Sequence, residues 1–71
     1  MTTHRTQPID RVHIYRNYFG VWCFAAWMGD EFDCSDALVI EDDCSPTEAK
    51  DEARRQFPGA TVVRVPDITT P

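Results

Sequence analysis

Apolar positions along the chain follow three different rhythms. From Arg11 to Arg16 they alternate, with Val12 and Ile14 on one side and Arg11, His13 and Tyr15 on the other, as on a half-buried strand. From Gly20 to Met28 the run GVWCFAAWM is apolar almost throughout. As a strand it would place Val21, Cys23, Ala25 and Trp27 on one face and Trp22, Phe24, Ala26 and Met28 on the other, the pattern of a central strand covered on both sides. Farther on, Ala49, Ala53 and Phe57 recur every fourth residue, which makes one narrow apolar stripe on a helix.

The residues between these runs set the boundaries. Asn17 to Gly20 is a turn in which Asn17 and Gly20 can take positive φ. Gly29-Asp30 suits a type II′ hairpin, because glycine occupies the first central position without steric cost. That turn pairs Met28 with Glu31, Trp27 with Phe32, Ala25 with Cys34 and Val21 with Leu38, in a third strand running from about Glu31 to Glu41. Asp36 is then a misfit on the apolar face, which signals a bulge or a longer turn. Ser45-Pro46-Thr47-Glu48 reads as a capping box, and Pro58-Gly59 stops the helix near Phe57. Thr61 to Val65 is a short β-branched strand ended by Pro66. The expectation is an α+β fold in the order β-β-β-α-β: an antiparallel three-stranded meander, one helix on one face, and a final short strand beside either the first or the third. Residues 1–9 read as a mobile N-terminal tail, 10–66 as a single domain and 67–71 as a C-terminal tail.

One helix covers one face of a small sheet, so this reading leaves the second face unaccounted for. The tight hairpin puts Val21, Cys23, Ala25, Trp27, Phe32, Cys34, Leu38 and Ile40 on the expected core face. Trp22, Phe24 and Met28 then lie on the opposite face beside Glu31, Asp33 and Glu41. Aromatic anchors ringed by carboxylates have the composition of a binding surface; the other possibility is that one of the tails folds across them.

Charge sharpens this picture. The net charge is −5, and ten of the twelve acids fall between positions 30 and 52, where Lys50 is the only base. Such a surface repels phosphate backbones, so direct nucleic-acid binding is not expected, whereas a basic protein surface would be attracted. Asp30, Glu31, Asp33, Glu41, Asp42 and Asp43 join Trp22, Phe24 and Met28 as the expected partner-binding residues. Catalytic chemistry is not expected: no motif links His13 to a nucleophile, phosphate-binding glycine loops are absent, and Glu41-Asp42-Asp43 lacks the order of an EF-hand. Cys23, Cys34 and Cys44 are an odd set with no CxxC pair, which fits reduced thiols and neither a disulfide framework nor a zinc site, and no cofactor is implied. The polar MTTHRTQPID start and the absence of a long apolar segment lead us to expect a cytosolic protein with no membrane contact.

In size, acidity, odd cysteine count and β-β-β-α-β order, the chain resembles the small phage-encoded anti-CRISPR inhibitors. The resemblance covers most of the chain but rests on no residue motif. It implies a CRISPR effector complex, or one of its basic nucleic-acid-binding subunits, as the partner, with blockage by steric or nucleic-acid-mimicking contact in the host cytoplasm. Carboxylates two residues apart on a strand stand roughly 6.7 Å from each other, comparable to a row of phosphates. The element order is also similar to a truncated double-stranded-RNA-binding fold as used in some antitoxins. That similarity implies a self-associating module, a homodimer through the face of Trp22, Phe24 and Met28.

Overall fold

The computed structural model describes residues 9–69. Strands β1 (Arg11–Arg16), β2 (Trp22–Met28) and β3 (Glu31–Ala37) are followed by helix α1 (Pro46–Gln56) and strand β4 (Thr61–Arg64). They form one four-stranded sheet in the order β3-β2-β1-β4. The meander is antiparallel, and β4 returns beside β1 and parallel to it, which decides the position the sequence left open. The expected N-terminal tail, Ile9 apart, lies outside the described residues. Past Pro66 the chain is tied down: the Ile68 N–H donates to the Arg16 carbonyl at 2.9 Å, and Asp67 accepts from the Arg16 N–H at 3.0 Å.

Local chemistry explains each element. The Glu48 N–H donates to the Ser45 hydroxyl (3.2 Å) and the Glu48 carboxylate accepts from the Ser45 N–H (2.9 Å), the two halves of a capping box, with Pro46 in the first turn. Removing half of it with Ser45→Ala should cost about 1 kcal/mol, read as a lower urea midpoint with an unchanged slope. An unchanged midpoint would mean the cap contributes nothing. Gly29 takes φ +60°, as a II′ hairpin requires, and its N–H donates to the Asp10 carboxylate at 3.0 Å. In the first turn only Gly20 has positive φ. Asn17 contributes instead through its side-chain carbonyl, which accepts from the Phe19 and Val21 N–H groups at 2.9 and 3.0 Å.

The core corrects the expected assignment of faces. Trp22 and Phe24, expected on the open face, are 1% and 5% exposed and lie in the core with Val12, Ile14, Ala26, Leu38, Ala49, Ala53 and Val62. The reason is the register of β1. Val12 lies opposite Ala26, Ile14 opposite Phe24 and Arg16 opposite Trp22, so the apolar side of β1 adds to the Trp22 side of β2. Arg11, His13 and Tyr15 fall with Trp27, Ala25 and Cys23 on the other side. Helix α1 packs on β4 and β1 on the Trp22 side, Ala49 and Ala53 fully buried, and Phe57 meets Phe24 edge-on with ring centroids 5.1 Å apart. Met28, on the same side but at the far end of β2, is half-buried opposite Glu31.

The third strand is corrected as well. Met28 and Trp27 pair with Glu31 and Phe32 as expected, but Ala26, not Ala25, pairs with Cys34, leaving Asp33 unpaired as the extra residue of a bulge. The slip returns Leu38 to the core beside Trp22, where its N–H donates to the Trp22 carbonyl at 2.9 Å, and puts Asp36 opposite Phe24. It also ends the strand at Ala37, so Val39 to Asp43 form a loop and not the end of a longer strand.

Candidate protein-interaction surface

Trp22 positions this surface from beneath. Its ring is stacked by the Arg16 and Arg64 guanidinium groups, 4.7 and 5.4 Å from the ring centroid. Its indole N–H donates to the Cys44 carbonyl at 2.9 Å, and Arg16 donates to the same oxygen at 3.1 Å. Arg64 is held in turn by Asp67 at 3.2 Å. One side chain thereby fastens β1, β2, β4, the C-terminal segment and the end of the β3–α1 loop. Arg16 and Arg64 are occupied inside this clamp, away from the acids of β3.

Those acids have no such partners. Asp30 sits at the hairpin tip, Glu31, Asp33 and Asp36 on β3, and Glu41, Asp42 and Asp43 in the following loop, and all are exposed. Among the described residues the ion pairs are Arg54–Asp51, Arg55–Glu52 and Arg64–Asp67, so none of these seven carboxylates is paired with a described residue. Strand β3 is exposed at every residue, because it is the sheet edge and α1 sits over β4 and β1. The result is an acidic strip along one side of the molecule.

The aromatic anchors expected beside it are different residues from those singled out in the sequence. Trp22 and Phe24 belong to the core, whereas Tyr18, Phe19, Val39 and Ile68 are exposed, Phe19 at 81% and Val39 at 79%. Tyr18 and Phe19 cap the β1–β2 turn, edge to face at 5.4 Å. The Leu38–Trp22 and Ile68–Arg16 hydrogen bonds place Val39 and Ile68 at that same end of the sheet, where Glu41, Asp42 and Asp43 follow Val39. The signal available beforehand was two adjacent aromatics in a four-residue turn, where a fold this small has nothing to bury them against.

The face of the sheet opposite α1 carries Arg11, His13, Tyr15, Cys23, Ala25, Trp27, Phe32 and Val63. Trp27 meets His13 and Phe32 at centroid distances of 5.8 and 5.5 Å, with the Arg11 guanidinium 5.2 Å above its ring. Phe32 remains 50% exposed. Among the described residues no group of three histidine, cysteine or acidic side chains is placed to hold a metal ion, and no helix is long and apolar enough to cross a membrane.

The thiols report on the same charges. Burial raises the Cys23 thiol, with the Asp36 carboxylate adding to the effect and a hydrogen bond to Asn17 opposing it. Burial likewise raises the Tyr15 hydroxyl, followed by the neighbouring Cys23. Cys34 is raised by desolvation and then by Asp33 and Asp36. A group whose folded pKa lies above its unfolded value stabilises the fold while it keeps its proton and loses that contribution as pH rises through the folded value. Urea stability should therefore fall as pH climbs past the ordinary thiol value of 9.0, and Cys23→Ala should shrink the fall. Equal alkaline losses in wild type and variant would contradict this account of Cys23.

Neither a protein-family model, nor a curated protein, nor a solved structure matches this chain.

Proposed function

We propose that this protein is a small acidic protein-binding inhibitor that docks the strip of β3 and the β3–α1 loop onto a basic surface of its partner. The observation that carries the reading is the set of seven carboxylates from Asp30 to Asp43, all exposed and none in an ion pair with a described residue. Unneutralised charge of one sign on an exposed edge steers a partner of the opposite sign and selects against other partners. Phe32 on the strip and Val39, Tyr18 and Phe19 at its loop end supply apolar contact area that the charges alone lack. Binding by steric occupation needs no catalytic group. The resemblance to anti-CRISPR inhibitors in size, acidity and element order supports a nucleic-acid-binding subunit of a CRISPR effector complex as that partner.

The test is affinity capture from a bacterial lysate carrying CRISPR systems, with wild type and with the Asp30→Lys, Glu31→Lys, Asp33→Lys triple variant side by side. Recovery of a basic nucleic-acid-binding complex by wild type alone is expected. Equal recovery by both proteins would remove the acidic strip from the account.

A second reading, self-association, is favoured by the apolar stripe of Trp27, Phe32 and Val63 on the face opposite α1. Trp22 and Phe24 of the expected dimer face are buried in the core, so in this reading the stripe opposite α1 takes their place. Sedimentation at micromolar concentration separates the readings: a dimer supports self-association, and a monomer removes it.

A further inference from the structure

We propose that β3 binds an extended basic segment of the partner as a fifth strand, through the outward-facing Ser35 N–H and the carbonyls of Ser35 and Ala37. This deepens the acidic-docking reading and rests on it. Strand β3 has a neighbour on one side only, since the sheet order is β3-β2-β1-β4. The Leu38 N–H donates to the Trp22 carbonyl, so Leu38 belongs to a hydrogen-bonded pair with β2. Such pairs alternate along an antiparallel ladder, which turns Asp36 and Cys34 inward as well and directs the Ser35 N–H and the Ser35 and Ala37 carbonyls away from the sheet, while the Ala37 N–H donates to the Asp36 carboxylate at 2.7 Å. The small side chains of Ser35 and Ala37 leave the approach to these groups open.

Natural sheets protect an open edge with charged side chains, proline, bulges, shortness or cover. At the opposite edge, β4 has four residues and is followed within two positions by Pro66. Strand β3 has seven residues, no proline and no covering element among the described residues; its protection is the bulge at Asp33 and three charges, all negative. Pairing with a second copy would bring the carboxylates of Glu31, Asp33 and Asp36 from two β3 strands together, which like-charge repulsion disfavours. A cationic strand meets no such obstacle.

The alternation of side chains also defines the segment. On the α1 side an added strand would lie beside Glu31 and Asp36, and on the opposite side beside Phe32, Ser35 and Ala37. The matching sequence is lysine or arginine at every second residue with apolar residues between. Main-chain bonds then provide affinity and the charges provide selection, as in other cases of strand addition.

The probe is a short end-capped peptide of alternating lysine and valine, with a glutamate–valine peptide as control. Amide hydrogen exchange of the wild-type protein is read residue by residue. The lysine peptide should slow exchange at Ser35 by about tenfold or more, and the glutamate peptide should not. Ser35→Pro should abolish binding while preserving the fold, because the N–H it removes is not part of the β2 ladder. Binding with unchanged exchange at Ser35 would overturn strand addition, and so would the absence of any binding. The acidic-docking reading would survive either result if the Asp30, Glu31, Asp33 reversal still abolished capture of the basic partner; insensitivity to that reversal would remove both. Exchange in the wild-type protein decides the matter even if Ser35→Pro fails to fold.

Discussion

Replacing Trp22 with alanine is expected to leave the chain largely unfolded at room temperature. Truncating a buried tryptophan costs about 3–5 kcal/mol, and a single core of this size supplies roughly 3–5 kcal/mol of net stability. The indole also ties β1, β4 and the β3–α1 loop together through polar and cationic contacts. Arg16 and Arg64 stack on it, and its N–H reaches the Cys44 carbonyl just before the Ser45 cap. Trp22→Phe separates these contributions: it keeps most of the apolar volume and leaves the Cys44 carbonyl with Arg16 as donor. The loss of the indole hydrogen bond should cost about 1–2 kcal/mol, leaving a folded protein of reduced stability. Near-UV circular dichroism and urea unfolding distinguish the two outcomes. A well-folded Trp22→Ala variant would show that Trp22 is not the residue organising this core.

The second large effect falls on binding and leaves folding intact. Reversing Asp30, Glu31 and Asp33 to lysine is expected to lower affinity for the basic partner by about 100-fold or more, since setting like charges across an interface costs several kcal/mol. The substituted side chains are exposed and outside ion pairs, so stability should change little or rise as repulsion along β3 is relieved. Wild-type binding should also weaken steeply with salt, because the Debye length shrinks from about 10 Å at 0.1 M to about 3 Å at 1 M. A triple variant that loses binding only because it unfolds would contradict this prediction, and urea unfolding of the free protein detects that case.

The elements set by local chemistry were legible in the sequence, and the relations between elements were less so. The capping box at Ser45 and Glu48, the Gly29-Asp30 turn and the stop at Pro58-Gly59 each depend on a few adjacent residues, and each stands where it was expected. The choice of core face was not decided within β2, because that strand is apolar on both sides. It was decided by β1, whose strict alternation puts Val12 and Ile14 with Ala26 and Phe24. Counting back from Trp22 to Arg16 across the turn would have shown this. The bulge announced itself only as the misfit of Asp36; its placement at Asp33 depends on returning Leu38 to the core. For the candidate surface, the acids were legible as a run of charge, and Asp30, Glu31, Asp33, Glu41, Asp42 and Asp43 are all exposed. The apolar contributors were misassigned, since Trp22 and Phe24 were placed outside and Tyr18 and Phe19 were read only as a turn.

The most direct test of the central claim, that an exposed acidic strip docks on a basic partner, is the salt dependence of binding for wild type and for the Asp30, Glu31, Asp33 reversal, both confirmed as folded. From about 0.1 M to about 1 M salt, wild-type affinity should fall steeply and converge on the weak affinity of the variant. Salt-independent binding of equal strength in the two proteins would contradict the claim.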